Sequence, residues 1–127
     1  MSYVRFVLSE VDRSSHRKRG LLTASHALLD EGRLSAIDEE FLAEALCWFG
    51  RHLPVPERLS KPGNKLAICW FRACASEHIG QMWEIAHLLR ANGHLVHLLR
   101  TEDPGMRIYE DEWQVVAKPH RRRRLPW

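Results

Sequence analysis

The chain has 127 residues, 45% of them hydrophobic and 28% charged, with a formal net charge of +3. That length suits one domain able to bury an ordinary core, and that composition excludes wholesale disorder. The positive charge is local: Lys118, Arg121, Arg122, Arg123 and Arg124 supply five of the 19 cations, and the remaining body, with 14 basic against 16 acidic residues, carries −2, which excludes a body built to wrap nucleic acid.

In chain order, residues 3–8 read as a strand, because Val4, Phe6 and Leu8 alternate with Arg5 and Val7. A polar, basic loop is expected from Ser9 to Gly20. A helix follows over 21–31, with Leu21, Leu22, Ala24, Leu28 and Leu29 on one face and Gly32 as its stop. Ser35 and Asp38 have capping-box spacing at the head of a second helix, and acids crowd its first turn. Its apolar residues make two adjoining stripes, Ile37-Phe41-Ala45-Trp48 and Leu42-Leu46-Phe49-Leu53, so a wide buried face is expected until Pro54 and Pro56 end it. After a polar loop over 54–65, Ile68, Phe71, Ala75, Ile79, Met82, Ala86 and Leu89 recur every three or four residues. That period predicts one long third helix closed by Gly93, with a strand over Leu66–Phe71 as the alternative. Strands are predicted over 94–101, 106–110 and 113–118, joined by the Asp103-Pro104-Gly105 turn and an Asp111-Glu112 tip.

The expected architecture is α+β, ordered β-α-α-α-β-β-β. A small, mostly antiparallel four-stranded sheet carries three helices packed on one face. Its other face is left to solvent or to an interface. The expected division is a single domain over 1–118 and a basic, flexible C-terminal tail over 119–127.

Three cysteines, Cys47, Cys69 and Cys74, without a CxxC pair, argue against a disulfide framework and a zinc knuckle. No basic leader precedes an apolar run, and no uncharged apolar stretch approaches the ~18–20 residues a membrane helix needs. The expectation is a cytoplasmic protein with no membrane partner.

Cations gather ahead of helix starts. Ser14, Ser15, His16, Arg17, Lys18 and Arg19 lead into the first helix, and Lys61 and Lys65 lead into the third. Free N–H groups at a helix start attract anions, so these residues, with Arg121, Arg122, Arg123 and Arg124, form the expected anion- or partner-binding set. The arginine run also suits nucleic acid, and Leu125-Pro126-Trp127 adds an apolar end able to dock on the body or a neighbour.

Metal and catalytic sets are incomplete. Glu84-x-x-His87 lacks the second copy that a di-iron bundle requires, Cys74 and His78 lack further ligands, and His94 and His97 point to opposite faces. Ser25 and His26 are adjacent on a helix and do not face each other, and Cys47 reads as a core thiol. Neither a metal nor a cofactor is expected. The acidic turns at Glu102-Asp103 and Glu110-Asp111-Glu112 offer carboxylates for a cation, for acid–base chemistry, or for the basic segments of a second copy. Trp70 and Trp83 lie off the main stripe of the third helix and are candidate interface residues.

Several segments together resemble a small family of uncharacterised bacterial proteins. They are Gly20-Leu21-Leu22, Cys47-Trp48-Phe49, Leu53-Pro54-Val55-Pro56, Ala67-Ile68-Cys69-Trp70-Phe71-Arg72, Pro104-Gly105, and Tyr109 through Pro119. The resemblance implies a free-standing body and a tail added to it; it implies no activity, substrate or cofactor. The function expected from the residues is a small non-catalytic binding or interaction protein that recognises an anionic partner. The alternatives are a nucleic-acid-associated protein using the arginine tail, and a small-metabolite enzyme using the acidic turns or His26. A homodimer is a further expectation.

Overall fold

A computed structural model describes residues 1–11, 18–54 and 67–120. Among them the order is β1 (Tyr3–Val11), β2 (Lys18–Gly20), α1 (Leu21–Glu31), α2 (Ala36–His52), β3 (Ile68–Arg72), α3 (Ser76–Ala91), β4 (Val96–Thr101), β5 (Met106–Glu110) and β6 (Gln114–Lys118). The α+β class holds. The sheet has six strands, not four, and every recorded strand pairing is antiparallel.

The two extra strands have separate causes. β2 is a three-residue piece of the expected basic loop that pairs with β1 through Val7↔Gly20 and Val11↔Lys18, so β1 also runs past Leu8. β3 replaces the first part of the expected third helix. Its residues alternate between two apolar environments: Ile68 and Trp70 point to one face of the sheet, Cys69 and Phe71 to the other. A strand apolar on both faces shows no period of two, and the run merges with the true helical period of α3.

β1 organises the sheet. β4 pairs along one edge of it from Tyr3 to Leu8, while β3 and β2 share the other edge. β6 pairs with β3 and β5 with β6. β4 and β5 are therefore the two margins. In a flat sheet four strand spacings of about 4.8 Å would hold them roughly 19 Å apart. Thr101 and Met106 would also lie at opposite ends of the strands. Residues 102–105 cannot cross that gap at about 3.5 Å per residue. The sheet is therefore rolled, and side chains meet across the roll. Arg107 on β5 donates from Nη2 to the Tyr3 hydroxyl on β1 at 2.8 Å, and its guanidinium lies 5.4 Å from the ring centre.

The rolled sheet makes two cores. Its convex face carries Val4, Phe6, Leu8, Phe71 and Val96 against Leu21, Ala24 and Leu28 of α1, Leu42, Leu46 and Phe49 of α2, and Met82, Ile85, Ala86 and Leu89 of α3. All three helices pack on this face. The concave face closes on Tyr3, Ile68, Trp70, Val115 and Ala117. It is a second core rather than a free surface, and Trp70 is wholly buried in it.

Local signals behave as the sequence indicates. The Ser35 hydroxyl accepts from Asp38 N, and Gly32 adopts φ 67° to end α1. Gly105 adopts φ 113°, and a Cβ there would fall on the Lys118 carbonyl oxygen. Only glycine lets the β4–β5 turn pass this close to β6.

Candidate functional site: an aromatic groove between two helices

α2 and α3 run antiparallel. Asn92 Nδ2 donates to Asp38 Oδ2 at one end, and His78 meets the His52 carbonyl at the other. Leu42, Ala45, Leu46 and Phe49 turn inward from α2. The neighbouring stripe, expected in the core, is split: Ala45 is buried and Trp48 half-buried, but Ile37 is 81% exposed and Phe41 41%. One helix presents only about a third to a half of its circumference to a sheet, so two adjoining stripes exceed what α2 can bury. The surplus stripe borders an open groove of about 430 Å³ lined by Phe41, Ala45, Trp48 and Gln81, with Glu44 and Arg51 at its rim. Cys47 also lines it and is exposed, contrary to the expected core thiol; Arg51 Nη1 reaches its Sγ at 3.7 Å.

Trp48 joins the groove to an aromatic box. His78, in the first turn of α3, is buried between Trp48 at 5.0 Å, Phe71 at 6.0 Å and Trp113 at 5.3 Å. A carbonyl only accepts, so His78 Nε2 donates to His52 O at 2.8 Å, and Nδ1 is buried with no hydrogen-bond partner. The His52 ring stacks on Trp48 at 4.3 Å. Trp113 remains 37% exposed just ahead of β6. The box thus fixes the Trp48 ring from one side and leaves its other parts to the groove. Trp70 and Trp83 supply no such surface, since Trp70 is buried and Trp83 packs its edge against Phe6 at 4.9 Å.

In the acidic hairpin turn, Glu110 and Asp111 are engaged by the chain itself. Glu110 Oε2 accepts from Arg72 Nη2 at 2.9 Å and from Arg107 Nη1 at 2.8 Å. Asp111 accepts from the Trp113 and Gln114 amides, from the Tyr109 hydroxyl and from Gln114 Nε2. Burial pushes the Asp111 carboxyl up, but those hydrogen bonds outweigh it and hold the group below the usual carboxylate range. Gln114, itself buried, also donates to Pro54 O and accepts from Cys69 Sγ at 3.0 Å. Burial pushes the Cys69 thiol up to about 12, against the pull of Arg5. These groups build the β5–β6 hairpin. His26 is exposed on α1, on the convex side, whereas Glu110 lies in register with Val115 on the concave side, so the structure does not bring this pair together.

Of the expected anion-binding set, Lys18 and Arg19 are described. Both are half-buried on β2; Lys18 O accepts from Arg5 Nη2 at 3.3 Å, and Gly20 starts α1 without a capping side chain. Ser14, Ser15, His16, Arg17, Lys61, Lys65, Arg121, Arg122, Arg123 and Arg124 lie outside the described residues. Among the described residues no three His, Cys, Asp or Glu side chains group as metal ligands, and no helix is long and apolar enough to cross a membrane. Cys74 is exposed while His78 is enclosed in its box, so they do not face a common ion.

The groove residues Phe41, Glu44, Trp48, Arg51 and Gln81, and Trp113 beside them, were not legible as a site from charge pattern. Their one signal was the excess apolar width of α2. Comparison with protein-family models, with curated proteins and with solved structures finds no match for this chain.

Proposed function

We propose that this chain is a small, non-catalytic interaction protein whose α2–α3 groove seats apolar side chains of a partner. One observation carries the reading: Ile37 and Phe41 are large apolar side chains left exposed on α2, and Phe41 lines an open groove together with the half-buried Trp48. Apolar and aromatic residues gathered beside a polar rim are the composition of contact surfaces. The non-catalytic part is supported by Glu110 and Asp111 of the acidic hairpin, which are engaged in holding it together.

Photocrosslinking in the cells that express the protein tests this. Gln81→benzoylphenylalanine places a reactive ketone in the groove. Irradiation is expected to yield an adduct that a second change, Phe41→Asp, removes. Absence of an adduct, or one that survives Phe41→Asp, rejects the groove as the contact surface.

A second reading, recognition of an anionic partner, is favoured by the segregation of cations into Arg17–Arg19 and Lys118–Arg124 over a body of −2. Nucleic acid is one such partner through the arginine run. Charge reversal at Arg17, Lys18 and Arg19 is expected to abolish retention on a phosphate-rich resin that salt also weakens. Retention that withstands both rejects it.

A further inference from the structure

We infer that the outer face of α2 pairs antiparallel with the same face of a second copy of this chain, about a two-fold axis level with the step from Cys47 to Trp48. The inference rests on reading the groove as a contact surface and names its occupant.

A contact between identical faces needs a surface that complements itself under a two-fold rotation. The outward side of α2 is such a surface. Its exposed charges are segregated: Glu40 and Glu44 lie before the middle of the helix, and Arg51 lies in its last turn. Glu44 and Arg51 both line the groove. They stand on one side of the helix, two turns and about 10.5 Å apart along its axis, too far to close on each other. Neither has an ion-pair partner among the described residues. An antiparallel copy rotated about the midpoint of the pair sets each Glu44 level with the partner subunit's Arg51, twice over. A parallel copy would set glutamate on glutamate and arginine on arginine. The charge order therefore selects the antiparallel arrangement. It also fixes the register, since a slip of one turn, about 5.4 Å, separates both pairs. A foreign partner would require no such symmetry of charge.

The same midpoint falls between Cys47 and Trp48. Cys47 is exposed and Trp48 half-buried, and both line the groove. A two-fold axis perpendicular to the helices sets the groove flank of one copy beside that of the other. The two Trp48 side chains then meet near the axis and cover each other's remaining apolar surface. Aromatic residues at the centre with paired charges around them are the anatomy of a specific contact. On the opposite flank of the outer face, the exposed residues Ala36, Ala43 and Gly50 recur every two turns and are small, so nothing bulky there holds the two helices apart.

Sedimentation velocity of the full chain, from about 10 to 500 µM, reads the contact directly, in the range suited to a contact one helix wide. The wild-type chain is expected to dimerise. Glu44→Arg and Arg51→Glu, both at exposed positions, are each expected to weaken dimerisation about tenfold or more, because each sets two like-charged pairs beside the axis. An equimolar mixture of the two variants restores it, since both junctions of the mixed pair are again arginine against glutamate. Circular dichroism checks that the variants fold. Cross-linking of the wild-type chain with a short bis-maleimide is the second measurement, independent of them. It is expected to give a dimer joined through Cys47, which Cys47→Ser abolishes and Cys74→Ser leaves intact. A monomeric wild-type chain overturns the inference; so does dimerisation that neither charge change weakens, a mixture no stronger than its components, or a cross-link through Cys74 alone. A monomeric chain whose Gln81 crosslink nevertheless captures a different protein separates the two claims: self-pairing fails and the groove reading stands.

Discussion

At Cys69 a thiol is placed where its ordinary chemistry is suppressed. Burial disfavours the thiolate and the nearby Asp111 carboxylate adds to this, so the pKa rises to about 12 against the pull of Arg5, while the thiol donates to Gln114 Oε1. Cys47 and Cys74 are exposed. Native protein at pH 8 is therefore expected to lose two thiols to iodoacetamide, with the third modified only after denaturation; peptide mapping that finds Cys69 labelled in native protein contradicts the burial. Asp111 illustrates the opposite balance, since its acceptor bonds overcome its burial and lower its pKa. The sign follows. The ionised form is favoured by folding, so its contribution is complete above the ordinary carboxylate pKa of about 3.9 and is lost as pH falls through the lower folded value. Asp111→Asn keeps the shape and one acceptor oxygen but removes the charge. It is expected to cost about 1–2 kcal/mol at pH 7 and much less near pH 2, seen in urea midpoints at the two pH values. An equal loss at both would mean that the charge contributes nothing.

At the scale of elements, α2 permits a direct contrast. Leu42 and Ile37 are both large, apolar and on the same helix, but one is fully buried and the other 81% exposed. Leu42→Ala is expected to cost about 2–5 kcal/mol. Ile37→Glu is expected to fall within about 0.5 kcal/mol of wild type, as surface changes do. Thermal unfolding of the two variants decides whether the outer stripe is core or contact surface. The contrast also shows what was legible. Helix α1 could be read to its ends, because Gly20, Gly32 and a single apolar stripe all agree. The Ser35 cap of α2 was equally plain. Choosing which of two apolar stripes faces inward needed the positions of α3 and the sheet, which spacing within α2 does not contain. The failure at Ile68–Phe71 has a different origin: with both sheet faces forming cores, neither period was imposed on the strand. The groove was hidden for the first reason, since its floor belongs to residues whose composition is that of a core.

The whole molecule is a rolled sheet between two apolar masses, and the inner one decides whether the roll is structural. Trp70 is wholly enclosed on the concave side, with Tyr3 and Val115 nearby in the same cluster, while the helices contribute nothing to that cluster. If the helical layer alone stabilised the fold, the concave side chains would be dispensable. Because β1 and β3 carry both cores on alternate residues, losing one core removes the platform of the other. Trp70→Ala is therefore expected to cost about 3–5 kcal/mol, as much as a large truncation under the helices. Urea denaturation should keep one cooperative transition by both far-ultraviolet dichroism and tryptophan fluorescence, shifted to lower denaturant. A loss below about 1 kcal/mol would show that the concave face is not a load on stability, and two separated transitions would show that the helical layer and the roll unfold as independent units.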